Sequence, residues 1–173
     1  MAIIIDTNCF SNVFSRSSIK HKEFEPVLNW IINGKGIMIY GGTKYKEELR
    51  KAPKYLRLIN LLKELGKVYI GADEEIDEYQ SIIEKLRDNS DFDDPHLPAI
   101  VIVTKCRIIC TEDIRSIPYV TDRKYYPKNY DLPVYYTTSK NKNLLSDKYV
   151  DKTLKPLCKL NKKQIKVFEN FKV

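Results

Sequence analysis

The sequence predicts an α/β protein: a three-layer α/β/α sandwich with a mostly parallel central sheet, followed by a basic C-terminal extension. Two observations carry this prediction. Four short runs are largely apolar: "AIII" (2–5), "GIMIY" (36–40), "KVYIG" (67–71) and "RIICT" (107–111). Such runs read as strands covered on both faces, because a strand with one wet face alternates apolar and polar residues. Between them lie segments with helical spacing, and helices are the usual crossovers between parallel strands. Each strand–helix–strand unit is expected to be right-handed.

The elements follow in order. After Ala2–Ile5, "TNCFSNVFS" opens a helix, with Asp6 or Thr7 near its start. "EFEPVLNWIIN" places Phe24, Val27, Leu28 and Ile31 on one helical face, and Gly34 ends it. Beyond the second strand, Gly41-Gly42 turns into "KYKEELRK", for which Thr43 is the expected N-cap. Pro53 breaks that pattern, and "KYLRLINLLKEL" runs on to Gly66. "DEEIDEYQSIIEKLRD" sets Ile76, Tyr79, Ile83 and Leu86 on one face. The acidic turn "NSDFDDP" leads through Pro95 into the buried helix "HLPAIVIVTK". Downstream of Asp113 the pattern weakens. "IPYV" and "LPVYYT" read as edge strands, and "NKKQIKVFENF" as a terminal helix capped by Asn161.

Charge is unevenly placed. The net charge is +7, but residues 123–173 carry about +9 and residues 1–122 about −2. A basic segment beside acidic chemistry suits a polyanionic substrate, since lysines neutralise phosphates and release counterions. A solvated, solubilising tail would give the same count. In "YVTDRKYYPKNYDLPVYY", Tyr125 and Tyr126 interleave with Arg123, Lys124 and Lys128, a pattern that can stack bases and hold phosphates of a single strand. It is equally what an edge strand and loop packed by tyrosines would show.

Four cysteines, Cys9, Cys106, Cys110 and Cys158, and two histidines, His21 and His96, lack the spacing of a zinc site. Cys106 and Cys110 read as reduced core residues sharing one strand face. No apolar run approaches a membrane span, and Ala2–Ile5 is too short for a signal-peptide core, so the expected location is cytoplasmic, with no membrane partner.

The informative residues are carboxylates. In an open parallel sheet, ligands bind beyond the carboxyl ends of the strands where strand order reverses. Asp6 follows the first strand and Asp113 follows "RIICT"; Glu48, in the helix after the second strand, and Asp94, before a helix, can reach the same edge. Carboxylates gathered there raise each other's pKa values, and a divalent cation relieves the repulsion. Each acid also has an ordinary role open to it. Asp6 and Asp94 could cap helices, Asp113 could serve a turn, and Glu48 could be a surface acid like Glu47.

Taken together, "IIIDTN", "KEEL", "DPHLPA" and "TED" resemble, in this order, the four acidic motifs of the PIN-domain nucleases. The resemblance spans roughly residues 2–120. It implies a nuclease domain over residues 1–137, with residues 138–173 as a basic extension packed on it. It also implies one or two Mg²⁺ or Mn²⁺ ions held by Asp6, Glu48, Asp94 and Asp113. Glu48 is preferred to Glu47 because it directly precedes Leu49. Asn8 and Thr111 would position water, ligands or phosphate, Asp91 and Asp93 would enrich the third acid site, and His96 would contact substrate or simply pack. Pro98 departs from the family pattern, which has an aliphatic residue there. The implied activity is hydrolysis of RNA phosphodiester bonds, with a toxin–antitoxin toxin as one form of it, so an antitoxin protein or a second copy of the chain are the implied partners. A DNA nuclease of the same acid-cluster type and a catalytically silent nucleic-acid-binding module are the alternatives. A dinucleotide-binding fold would require a Gly-rich turn after the first strand, and a haloacid-dehalogenase-like phosphatase an acid where Asn8 stands; neither is present.

Overall fold

The computed structural model describes residues 2–88, 91–146 and 159–171. Its centre is a five-stranded sheet in the order β3-β2-β1-β4-β5, formed by β1 (Ala2–Ile5), β2 (Ile37–Tyr40), β3 (Val68–Ile70), β4 (Ile108–Cys110) and β5 (Val134–Tyr136). Every pairing is parallel; Ile4 lies opposite both Ile39 and Ile109, and Ile109 opposite Tyr135. The first strand in sequence is thus the middle strand in space. Strand order reverses between β1 and β4, which places the switch point of the sheet beside Asp6.

All residues of β1, β2 and β4 are buried. Side chains alternate between faces along a strand, so both faces must be covered, as a three-layer α/β/α arrangement requires. The covering helices are α1 (Phe10–Phe14), α2 (His21–Ile32), α3 (Thr43–Arg50), α4 (Pro53–Glu64), α5 (Asp73–Leu86) and α6 (His96–Thr104). In α2, Phe24, Val27 and Ile31 are buried. In α5 only Ile76 and Ile83 are; Tyr79 and Leu86 stay exposed, so the buried stripe is narrower than the spacing suggests. Helix α6 is buried nearly all round, from His96 through Ile102. No described helix is long and apolar enough to cross a membrane.

Three local expectations change. "IPYV" is not a strand but the short helix α7 (Ile117–Val120). Pro118 lacks an amide hydrogen for a ladder but fits the first helical turn. Thr43 is not the N-cap of α3. Gly42 holds that position at φ +82°, a left-handed conformation that glycine tolerates. Asp77 of α5 supplies the cap from outside, accepting the Thr43 N–H at 2.8 Å and its hydroxyl at 2.6 Å. The sheet is wholly rather than mostly parallel.

Beyond β5, a 3₁₀ turn (Ser139–Leu144) meets α2, where Glu23 accepts the Ser139 N–H and hydroxyl. Helix α8 (Lys162–Glu169) begins at Asn161, whose side chain accepts the Gln164 N–H while Gln164 returns a bond to the Asn161 N–H. Leu160 is buried, and Ile165, Phe168 and Phe171 pack against the core. Cys9, Cys106 and Cys110 are buried thiols, and burial raises Cys106 to about 12; Cys158 lies outside the described residues.

Candidate functional site

The site is built from the carboxyl end of β1. The Asp6 N–H donates to the Cys110 carbonyl (2.9 Å), extending the β1–β4 pairing by one residue. The Asp6 side chain is therefore fixed at the switch point, and it is 4% exposed. Its Oδ2 accepts the Thr111 hydroxyl at 2.9 Å and the Asn8 amide at 2.8 Å, and its Oδ1 caps the 3₁₀ turn Thr7–Cys9 by accepting the Asn8 N–H at 3.4 Å. Thr111 is itself held by β5, since its N–H donates to the Tyr136 carbonyl.

Helix α3 brings Glu48. Tyr45 and Glu48 are three residues apart and share a helical face. The buried Tyr45 hydroxyl donates to the Ile5 carbonyl, and Glu48 Oε2 accepts the Thr7 hydroxyl at 2.9 Å. Both contacts tie α3 to the end of β1. Glu47, one residue earlier, is exposed. Lys44, a turn earlier, stands 3.8 Å from Glu48 Oε1.

The third contribution comes from the start of α6. Asp94 accepts the Leu97 N–H through its backbone carbonyl, which leaves its side chain available. His96 follows at 1% exposure, edge-on to the Tyr45 ring with 6.2 Å between centroids. Among the described residues neither of its ring nitrogens has a hydrogen-bond partner, and Nε2 lies 3.9 Å from Glu48 Oε2. One ligand atom each from Glu48, Asp94 and His96 fall within 4.8 Å of one another, a group that could hold a metal ion.

Electrostatics agree with this geometry. Burial pushes Asp6 up to about 6; the Thr111 and Asn8 hydrogen bonds oppose the shift and the Glu48 charge adds to it. Burial, then the charges of Asp6, Asp93, Glu48 and Asp113, push Asp94 up to about 7. These shifts mark carboxylates crowded into a dry corner, and a bound cation would reverse them. Burial, and next the Lys44 charge, lower His96 to about 4. Its ring is neutral at pH 7, so the close approach to Glu48 is not an ion pair.

Asp113 stands apart from this group. Arg115 donates to its carboxylate from Nε (2.9 Å) and Nη2 (3.2 Å), which holds Asp113 below the usual range. The pair separates two open clefts. One, of about 360 Å³, is lined by Asp91, Asp93, Asp113, Arg115 and Tyr119; the other, of about 540 Å³, by Asn8, Glu112 and Ile114 besides Asp113 and Arg115. Asp91 and Asp93 are exposed on the rim.

Of the two readings of the aromatic–basic segment, an edge strand and loop packed by tyrosines is the one found for Tyr125 and Tyr126. Tyr125 and Tyr126 are buried. Tyr125 stacks on Phe92, while Tyr126 stacks on Tyr130 and donates to the Val120 carbonyl at 2.7 Å. Rings packed in this way cannot present a face to a nucleobase. Arg123 donates to the Pro127 and Tyr130 carbonyls, and Lys124 pairs with Asp88 at 2.6 Å. Both are engaged within the protein, while Lys128 is exposed.

Three further residues act here without a motif to announce them. Thr7 orients Glu48, and Tyr45 anchors α3. The enclosed Tyr135 hydroxyl on β5 has no partner, and its pKa is raised by burial first and then by the Asp6 and Asp94 charges. Thr7 is the one that "DTN" could have indicated, since it immediately follows the strand-end acid. No family model, curated protein or solved structure matches this chain, so what the site can do rests on its own geometry.

Proposed function

We propose that this chain is a metal-dependent nuclease that hydrolyses RNA phosphodiester bonds, on a PIN-like α/β/α domain. The observation that carries the reading is the grouping of Glu48, Asp94 and His96, from two distant segments, at the carboxyl edge of a parallel sheet, with Asp6 near enough for its charge to raise Asp94 and itself raised by burial. The unpartnered, buried nitrogens of His96 beside Glu48 and Asp94 also fit a cation. Glu48 and Asp94 would hold the ion, with Asp6 next to them. When bound, a divalent ion supplies Lewis-acid stabilisation of phosphoryl charge and a water of lowered pKa. Thr111 and Asn8 keep the Asp6 carboxylate in one orientation, and Thr7 does so for Glu48. Arg115, exposed at the mouth, offers a guanidinium to substrate phosphate, and Asp113 holds that guanidinium in place.

The test incubates purified protein with single-stranded RNA, structured RNA and single-stranded DNA, with Mn²⁺ or with chelator, beside Asp6→Asn. Expected is RNA cleavage that requires the ion and falls at least ~100-fold in the variant, the size seen when a transition-state electrostatic contact is removed. Cleavage that survives chelation or the substitution rejects the reading. Faster cleavage of DNA than of RNA moves the substrate class to DNA.

A further inference from the structure

His96 has no function in a site made only of carboxylates, yet its placement is unusual. The ring is 1% exposed, and neither nitrogen has a hydrogen-bond partner among the described residues. Buried polar groups are nearly always satisfied, so an orphaned imidazole in a native core calls for a reason. The ring is not in an apolar recess by accident of packing alone: Nε2 is 3.9 Å from Glu48 Oε2, and a His96 nitrogen joins oxygens of Glu48 and Asp94 within 4.8 Å. Donor atoms bonded to one ion at ~2.1 Å lie roughly 3–3.5 Å apart, so closing this set shortens its separations by at most about 1.3–1.8 Å, under about an ångström for each atom when both partners move. Orientation is already set, because His96 lies at the start of the enclosed helix α6 and packs edge-on against Tyr45, which is tied to β1.

We propose that His96 is a ligand of the ion, and that its nitrogen biases the site toward Mn²⁺, Co²⁺ or Zn²⁺ and against Mg²⁺. The inference rests on the metal-centre reading given above and adds to it the choice of ion. Mg²⁺ favours an all-oxygen octahedron and keeps several waters, whereas imidazole suits first-row transition ions and Zn²⁺. A site offering one buried nitrogen and two half-buried carboxylates fits the second group.

Two measurements on the full chain test it, neither of which needs catalysis. In the first, ring ¹⁵N signals are recorded while Zn²⁺ or Mg²⁺ is added; His21 and His96 are the only histidines, and a His96→Phe variant assigns them. Zn²⁺ should shift a His96 ring nitrogen and Mg²⁺ should not. In the second, Mn²⁺ and Mg²⁺ are titrated calorimetrically into wild type, His96→Phe and His96→Asn. Both variants should lose at least ~10-fold in Mn²⁺ affinity, the scale of losing a ligand's support, with Mg²⁺ affinity changed far less. Phe is somewhat larger than His and adds no unpaired polar atom, and Asn is smaller, so the pair brackets the volume of the site; the wild-type ¹⁵N experiment stands even if neither variant folds. Zn²⁺ binding that leaves both His96 nitrogens unshifted, or an unchanged Mn²⁺/Mg²⁺ affinity ratio in the variants, overturns the proposal. If no divalent ion binds wild type at all, the metal-centre reading falls and takes this one with it.

Discussion

Asp6 is asked to be an anion where an anion is poorly solvated. Its folded pKa of about 6 lies above the ordinary 3.8, so the native state holds the proton more tightly than the unfolded chain. The stability this confers is complete below about pH 4 and is lost as pH rises through 6. Asp6→Asn removes the titration, and its amide oxygen can still accept from Thr111 and Asn8. In chelator the variant should match wild type near pH 4 and exceed it by about 1–3 kcal/mol at pH 8, at ~1.4 kcal/mol per pKa unit. Losing the Asp6 charge also eases Asp94. Thermal unfolding across that pH range checks this; a variant less stable than wild type at pH 8 contradicts it. Added Mn²⁺ should stabilise wild type and leave the variant nearly unmoved. The position of Asp6 was legible in "IIIDTN", because an apolar run ending in Asp fixes a carboxylate at a strand end. Its partners were less so. The Thr111 contact spans 105 residues and the Glu48 contact of Thr7 spans 41, and no local pattern encodes which distant hydroxyl meets which acid. The preference for Glu48 over Glu47 came from its place directly before Leu49 in the motif, and Glu47 is exposed while Glu48 accepts the Thr7 hydroxyl.

At the scale of elements, α3 is the piece that aims Glu48, and it is oriented from both ends. Tyr45 and Glu48 tie it to the end of β1, and Asp77 caps its first turn from α5. Asp77→Ala should cost about 1 kcal/mol, the usual worth of an N-cap, read as a lower urea midpoint at unchanged slope. Asp77→Asn should restore most of it. Ion affinity should fall in Asp77→Ala if the cap also fixes Glu48. The buried strands β1, β2 and β4, the half-exposed β3 and five of the long helices could be read from the sequence. The failures were where two rules compete. "IPYV" is β-branched and apolar, yet Pro118 and the Ser116 carbonyl, which accepts the Tyr119 and Val120 N–H groups, make it a helical turn. Thr43 has the chemistry of a cap, but a left-handed glycine before it lets the chain start one residue earlier. Tyr125 and Tyr126 admitted both a base-stacking and a packed reading, because composition does not distinguish a buried tyrosine from an exposed one.

For the whole molecule, charge is the relevant variable. The net +9 of residues 123–173 should draw a polyanion toward the acidic edge of the sheet. Lys128 is exposed, whereas Lys124 is paired with Asp88 and stands near Asp122. Lys128→Gln should therefore lower the slope of log affinity for RNA against log salt by about 1, the value for one lost phosphate contact. Lys124→Gln should change it less. Equal and negligible effects from both would assign the basic segment to solubility alone.

The strand order has a consequence for synthesis. The central strand β1 is made before its neighbours, and β4 lies about a hundred residues later, with β5 later still. Asp6 cannot find Thr111, nor Thr111 the Tyr136 carbonyl, until most of the chain has emerged. Contacts this remote in sequence form slowly. A site built on this plan would be incomplete until β4 and β5 have been made, so the tempo of folding would set when its acidic edge is assembled.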